Sequence, residues 1–180
     1  MVPIQTMKNV ITSALFICTL IISATSQAKS LEPGAVWVGA TFGVDSKMGG
    51  RLGGSDVLLS IGADVEYALE SQIGIYARGD FGLGSSQTIK LETGAKYRFT
   101  GLDFPISPYV SAHLRVTHLM NIMGANLWAM GAGAGAGVDY FLTRKFTAGL
   151  DVTFDLSSTL GEQPTAYNTS NVVLTARYAF

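Results

Sequence analysis

The stretch LSIGADVEYAL, residues 59–69, decides the fold. Leu59, Ile61, Ala63, Val65, Tyr67 and Leu69 take alternate positions, and Ser60, Gly62, Asp64, Glu66 and Ala68 take the others. Side chains on a β-strand point alternately to its two faces, so the stretch predicts a strand with one greasy and one charged face. AVWVGATFGVD (35–45) repeats the pattern: Val36, Val38, Ala40, Phe42 and Val44 lie opposite Trp37, Gly39, Thr41, Gly43 and Asp45. Further alternating segments occur at 73–83, 88–99, 109–118, 130–140, 146–156 and 171–180, separated by turns rich in Gly, Ser, Asn and Pro.

The sorting of charge is stricter than the alternation itself. No Asp, Glu, Lys or Arg stands on an apolar face of any segment. The opposite faces carry eight acids, Asp45, Asp64, Glu66, Asp80, Glu92, Asp139, Asp151 and Asp155, and six bases, Arg78, Lys90, Lys96, Arg98, Arg115 and Arg177. A soluble barrel would turn its greasy face inward, but eight strands enclose too little room for that many apolar side chains. A membrane barrel turns it outward, to lipid. The aromatics Tyr67, Tyr97, Phe99, Tyr140, Phe146, Tyr178 and Phe180 all fall near the same end of their strands, as an interfacial girdle requires. The expected fold is therefore all-β: an eight-stranded, antiparallel, up-and-down transmembrane barrel with a polar lumen. A one-residue slip of register would move fourteen charges into lipid, at about 2 kcal/mol each or roughly 30 kcal/mol in all.

Composition agrees. Of 180 residues, 48% are hydrophobic and only 14% charged, against roughly 25% charged in an average soluble domain. A net charge of −1 gives no basic footprint for nucleic acid. Residues 1–28 read as a cleaved signal peptide: Lys8 supplies positive charge, Val10 to Ile22 an apolar core, and Ser26 and Ala28 the small residues before the cut. The remaining 29–180 form the barrel domain. Cys18, the only cysteine, goes with the leader, so neither a disulfide nor thiol chemistry is expected in the barrel.

The terminal ARYAF, residues 176–180, places Tyr178 and Phe180 on either side of Ala179. It resembles the C-terminal assembly signal of bacterial outer-membrane proteins, with Thr175 and Val173 where that pattern usually has a glycine and often a polar residue. Together with the eight segments, the chain resembles the OmpA/OmpX-like family of small outer-membrane barrels over residues 34–180. The resemblance implies location in the bacterial outer membrane and contact with its lipids and lipopolysaccharide. It also implies insertion by the barrel assembly machinery through Tyr178 and Phe180, and a monomeric state. The peptidoglycan-binding domain of OmpA is expected to be absent.

With both termini periplasmic, turns at 70–72, 100–108 and 142–145 face the periplasm, and loops at 46–55, 84–87, 119–129 and 157–170 face outward. In the third outer loop Met120, Ile122, Met123, Leu127 and Trp128 are candidates for a surface contact, or else for strand continuation with a Trp at the interface. Counting back from the turns sets Asp64, Arg78 and Glu92 in one ladder and Asp80 beside Lys90. Arg98, Arg115, Asp151 and Arg177 complete the expected lumen charge network. It reads either as a structural plug or as a narrow path whose acidic excess favours cations.

The glycines of strand six, Gly131, Gly133, Gly135 and Gly137, read either as the wall of a cavity or, the preferred reading, as room for large side chains reaching across, Trp37, Tyr76, Tyr109 or Arg115. Catalysis is not expected. Ser111 and His113 share a face but diverge, the His-x-Ser pattern of lipid A deacylases is missing, and two histidines without cysteine make no transition-metal site. No cofactor is expected. The function expected is structural or at the cell surface, through the outer loops, with a small-solute or ion channel as the alternative and a lipid-modifying enzyme third.

Overall fold

The computed structural model describes residues 31–50, 57–84, 87–101, 104–122, 125–161 and 163–180; the expected signal peptide and Cys18 lie outside them. Eight strands form a closed antiparallel barrel: β1 (Val36–Gly50), β2 (Val57–Ala68), β3 (Ile73–Leu83), β4 (Gln87–Arg98), β5 (Ile106–Ile122), β6 (Ala125–Phe141), β7 (Phe146–Leu160) and β8 (Ala166–Ala179). Closure pairs β1 with β8, and Phe180 N–H donates to the Val36 carbonyl at 3.0 Å. In hydrocarbon an open sheet edge would leave a row of unpaired backbone groups, so closure is obligatory.

The register fixes the shape. An outward-facing row can be followed from Tyr178 through Val38, Val65, Ala77, Thr93, Leu114, Ala132 and Leu156. It returns to β8 at Asn168, ten residues from its start. A shear of ten over eight strands, with about 3.3 Å per residue and ~4.8 Å between strands, tilts the strands by about 40° and sets a radius near 8 Å. Each residue then climbs about 2.5 Å along the barrel axis. On that scale Tyr67, Tyr97, Tyr140, Phe146 and Tyr178 share one level. Ser46, Gln87, His118, Ser158 and Asn168 lie roughly 25 Å above it, the height of the apolar band of such barrels.

Burial is inverted relative to a soluble protein. The fourteen charges assigned to the polar faces from the sequence are all buried, while Phe42, Leu59, Ile61, Leu91, Leu114, Leu156 and Leu174 are exposed on the outside. Hydrocarbon is the solvent this exterior matches. The aromatic rim is packed as well as sorted: Tyr97 meets Phe99 edge-on at 5.4 Å, and Tyr178 meets Phe180 at 5.3 Å.

The strands overrun the expected boundaries at the outer end. β1 reaches Gly50, β5 and β6 pair out to Ile122 and Ala125, and β7 and β8 leave only 161–165 between them. Within 119–129, residues 119–122 and 125–129 are therefore strand, which is the strand continuation weighed above. Beyond the lipid the backbone still gains by pairing, although the side-chain alternation no longer has an apolar solvent to sort it. The periplasmic turns stay short, and the longest, 99–105, carries Pro105.

Candidate functional site

The chemistry of the barrel lies in its lumen, and the lumen is stoppered at both ends. At the lower mouth Trp37, Ala68, Phe141 and Ala179 pack with Leu31 from the segment preceding β1. Trp37 and Phe141 meet edge-on at 6.2 Å. The chain turns into the mouth at Gly34, whose φ of +85° suits glycine, and Gly34 N–H donates to the Ala68 carbonyl at 2.7 Å. At the upper mouth Leu119, Ala129 and Tyr167 form a second apolar cluster, with Leu127 packed against it.

Two tiers of charge fill the space between. In the lower tier Arg98 forks between Glu66, at 2.9 Å through one pair of atoms, and Asp139 at 2.8 Å. Arg177 joins Asp139 at 3.0 Å to Asp64 at 2.6 Å, and Lys96 reaches Glu66 at 3.4 Å. Lys96 also lies 4.8 Å from the ring centres of both Tyr76 and Tyr109. Three bases meet three acids there.

The upper tier holds Arg78 on Asp151 at 3.0 Å, Arg115 between Glu92 and Asp155 at 2.5 Å each, and His113 on Asp155 at 2.6 Å. Tyr76 donates to Glu92 at 2.7 Å, Lys90 pairs with Asp45, and Thr41 donates to Asp80 at 2.6 Å. Among the described residues, five acids face three bases in this tier.

The backbone register is as expected, with Asp64 opposite Arg78, Arg78 opposite Glu92 and Asp80 opposite Lys90. The ion pairs largely do not follow it. Asp64 turns to Arg177, Lys90 to Asp45 and Arg78 chiefly to Asp151, with Glu92 at 3.9 Å. Strand tilt is the reason: a register neighbour sits about 3 Å higher or lower, whereas a residue across the narrow lumen can sit level.

Inward glycines are what make these longer reaches possible. In the register Gly39 lies between Asp64 and Arg177, Gly62 between Thr41 and Asp80, and Gly133 between His113 and Asp155. In each case the two outer residues bond over the glycine. A Cβ on Gly39 would lie 2.6 Å from Arg177 Cγ and 2.8 Å from Asp64 Oδ1. The glycines of β6 do the same for β5, Gly137 receiving Tyr109 and Gly135 Ser111. Trp37, Tyr76 and Arg115, also expected over these glycines, find their places elsewhere. Inward glycine between polar partners on flanking strands was the signal to look for.

Gly39→Ala is expected to cost about 1–3 kcal/mol through overpacking against Arg177. Gly79→Ala, facing lipid with only Leu91 Cδ2 at 3.5 Å, is expected to be nearly neutral. Urea unfolding of the two variants in lipid vesicles checks the difference.

Of the surface candidates, Leu127 packs toward the upper stopper and Met120 is half-buried. Trp128 is 52% exposed and stacks on His118 at 4.4 Å, at the outer edge of the apolar band. Met123 and the side chain of Ile122 lie outside the described residues. Ser111 Oγ and His113 Nδ1 are both without a hydrogen-bond partner, so the two do not form a nucleophile–base pair.

Compared with solved structures, the barrel superposes on Neisserial surface protein A with a TM-score of 0.67 at 17% identity, covering 82% of this chain and 99% of that one. The fold is that of the small outer-membrane barrels. The N-terminal barrel domain of Pseudomonas aeruginosa OprF matches at a TM-score of 0.55 and 18% identity, over 79% of this chain and 98% of that domain. Ail, the attachment invasion locus protein of Yersinia pestis, matches at 0.50 and 10%, over 83% and 100%. No family model and no curated protein sequence matches the chain.

Proposed function

We propose that this small outer-membrane barrel is a closed structural element that meets lipopolysaccharide, neighbouring cells or other surfaces through its outer loops. The observation that carries this reading is the pair of apolar stoppers, Leu31–Trp37–Phe141 below and Leu119–Ala129–Tyr167 above, enclosing ion-paired side chains. A lumen so filled leaves the outer rim as the part free to act. The names of two structural neighbours, a surface protein and an attachment invasion locus protein, support the same direction. In this reading Tyr178 and Phe180 engage the barrel assembly machinery during insertion, and Trp128 with His118 sets the depth of the outer rim.

Recording from the purified protein in planar bilayers tests the reading. A silent barrel is expected. Reproducible unitary steps would shift the function to a narrow channel, and the acidic excess of the upper tier would then favour cations. A change in lipid A mass on overexpression would instead indicate a lipid-modifying enzyme.

A further inference from the structure

Of the buried residues that make the two stoppers, only Leu31 lies outside a strand. It is carried by a turn, Glu32–Pro33–Gly34–Ala35. Ala35 N–H donates to the Glu32 carbonyl at 3.0 Å, and Gly34 has a φ of +85° behind Pro33. These are the marks of a type II turn, which proline and glycine preform. Glu32, Pro33 and Gly34 are exposed, whereas Leu31 is 3% exposed. Two backbone bonds tie the turn to the barrel: Gly34 N–H to the Ala68 carbonyl at 2.7 Å, and Ala68 N–H to the Ala35 carbonyl at 3.0 Å.

The closed lower mouth leaves two polar groups stranded. Trp37 Nε1 and Ser107 Oγ have no hydrogen-bond partner, and their residues are 2% and 0% exposed. The register puts both in the lowest inward row, Trp37 opposite Ala179 and Ser107 opposite Asp139. Burying such a group without a partner costs about as much as burying a leucine gains.

We propose that segment 31–35 is a hinged strap, which swings from the lower mouth as a unit, withdraws Leu31 and admits water and small solutes to the lower tier. Leu31 holds the strap shut. The stranded indole N–H and hydroxyl favour its release, because water then satisfies both. Release breaks no bond between two strands, and the turn keeps its own internal bond. The upper stopper has no such freedom. Leu119 is paired with Thr88 and Leu127, Ala129 with Thr159, and Tyr167 with Ser157, so opening that end breaks the ladder itself. The strap rests on the closed-barrel reading and deepens it: access is from one end only, with no path through.

The test places a thiol behind the strap. Thr147, 2% exposed and opposite Phe141 in the register, is replaced by cysteine in the full chain carrying Cys18→Ser, so that the thiol is unique. A charged methanethiosulfonate reagent is applied to the folded barrel in detergent micelles, where both mouths meet solvent. Modification is expected to be slow, and about tenfold faster or more in Leu31→Ala, which removes most of the buried side chain. Trp37→Phe and Ser107→Ala each delete one stranded polar group, and should slow modification by about fivefold. A separate thiol beneath the upper stopper, Thr117→Cys, should respond to none of the three. Leu31→Ala accelerating both thiols alike would mean general loosening and overturns the strap. So does a Thr147→Cys thiol that Trp37→Phe and Ser107→Ala fail to slow, or that Leu31→Ala fails to accelerate. Unitary conductance steps would remove the closed-barrel reading alone, since they need both ends open, and the thiol rates would still decide the strap.

Discussion

Replacing Arg98 with methionine is expected to destabilise the barrel by about 3–5 kcal/mol, measured by chemical unfolding in lipid vesicles. Arg98 is among the most deeply buried large side chains, and its guanidinium is the hub of the lower tier. It binds Glu66 through Nη1 and Nη2, and Asp139 through Nε and Nη2. Methionine fills much of the same volume, so the loss of packing is small. What remains is three carboxylates, Asp64, Glu66 and Asp139, sharing Arg177 and Lys96, one positive charge short, in a lumen stoppered by Trp37 and Phe141. Adding Asp139→Asn, which leaves Asp64 and Glu66 against Arg177 and Lys96, should recover part of the loss, because the cost arises from stranded charge and not from the missing cation itself. If the double variant is no more stable than Arg98→Met alone, the lower tier is not acting as a coupled ion network.

Leu174→Arg is expected to cost about 2–4 kcal/mol, while Val57→Arg should cost about 0–1 kcal/mol. Both residues point outward and are comparably exposed, at 56% and 63%. Their depth separates them. Tilt and shear put Leu174 about 10 Å above the Tyr178 level, near the middle of the apolar band, and Val57 at its outer edge. The same titration in vesicles measures both. A soluble barrel would accept either arginine with little change, and equal costs at the two depths would contradict the placement of the band.

The two predictions divide what was legible in the sequence from what was not. Strand identity, the facing of every charge and the aromatic rim were readable because they depend only on the period-two geometry of one chain. Register was readable wherever a tight turn anchored it, as for Arg78 opposite Glu92 and Asp80 opposite Lys90. Strand ends at the outer rim were readable only in part: continuation through 119–129 was one of two readings, while 46–50 and 157–160 were placed in loops. Leu119 and Leu127 look like loop residues in sequence but point into the barrel, since pairing continues past the membrane.

The ion pairs were hidden for a different reason. Asp64 and Arg177 are 113 positions apart, on strands that do not touch each other. They meet only because the sheet closes, with Gly39 between them.

By itself the sequence determined a barrel whose greasy side faces lipid, because misplacing even a few of its charges would exceed the stability of the fold. Tertiary structure alone decided which acid meets which base, and that both mouths are stoppered. Closure, tilt and shear set the levels at which side chains from distant strands converge, and no local pattern encodes those three quantities.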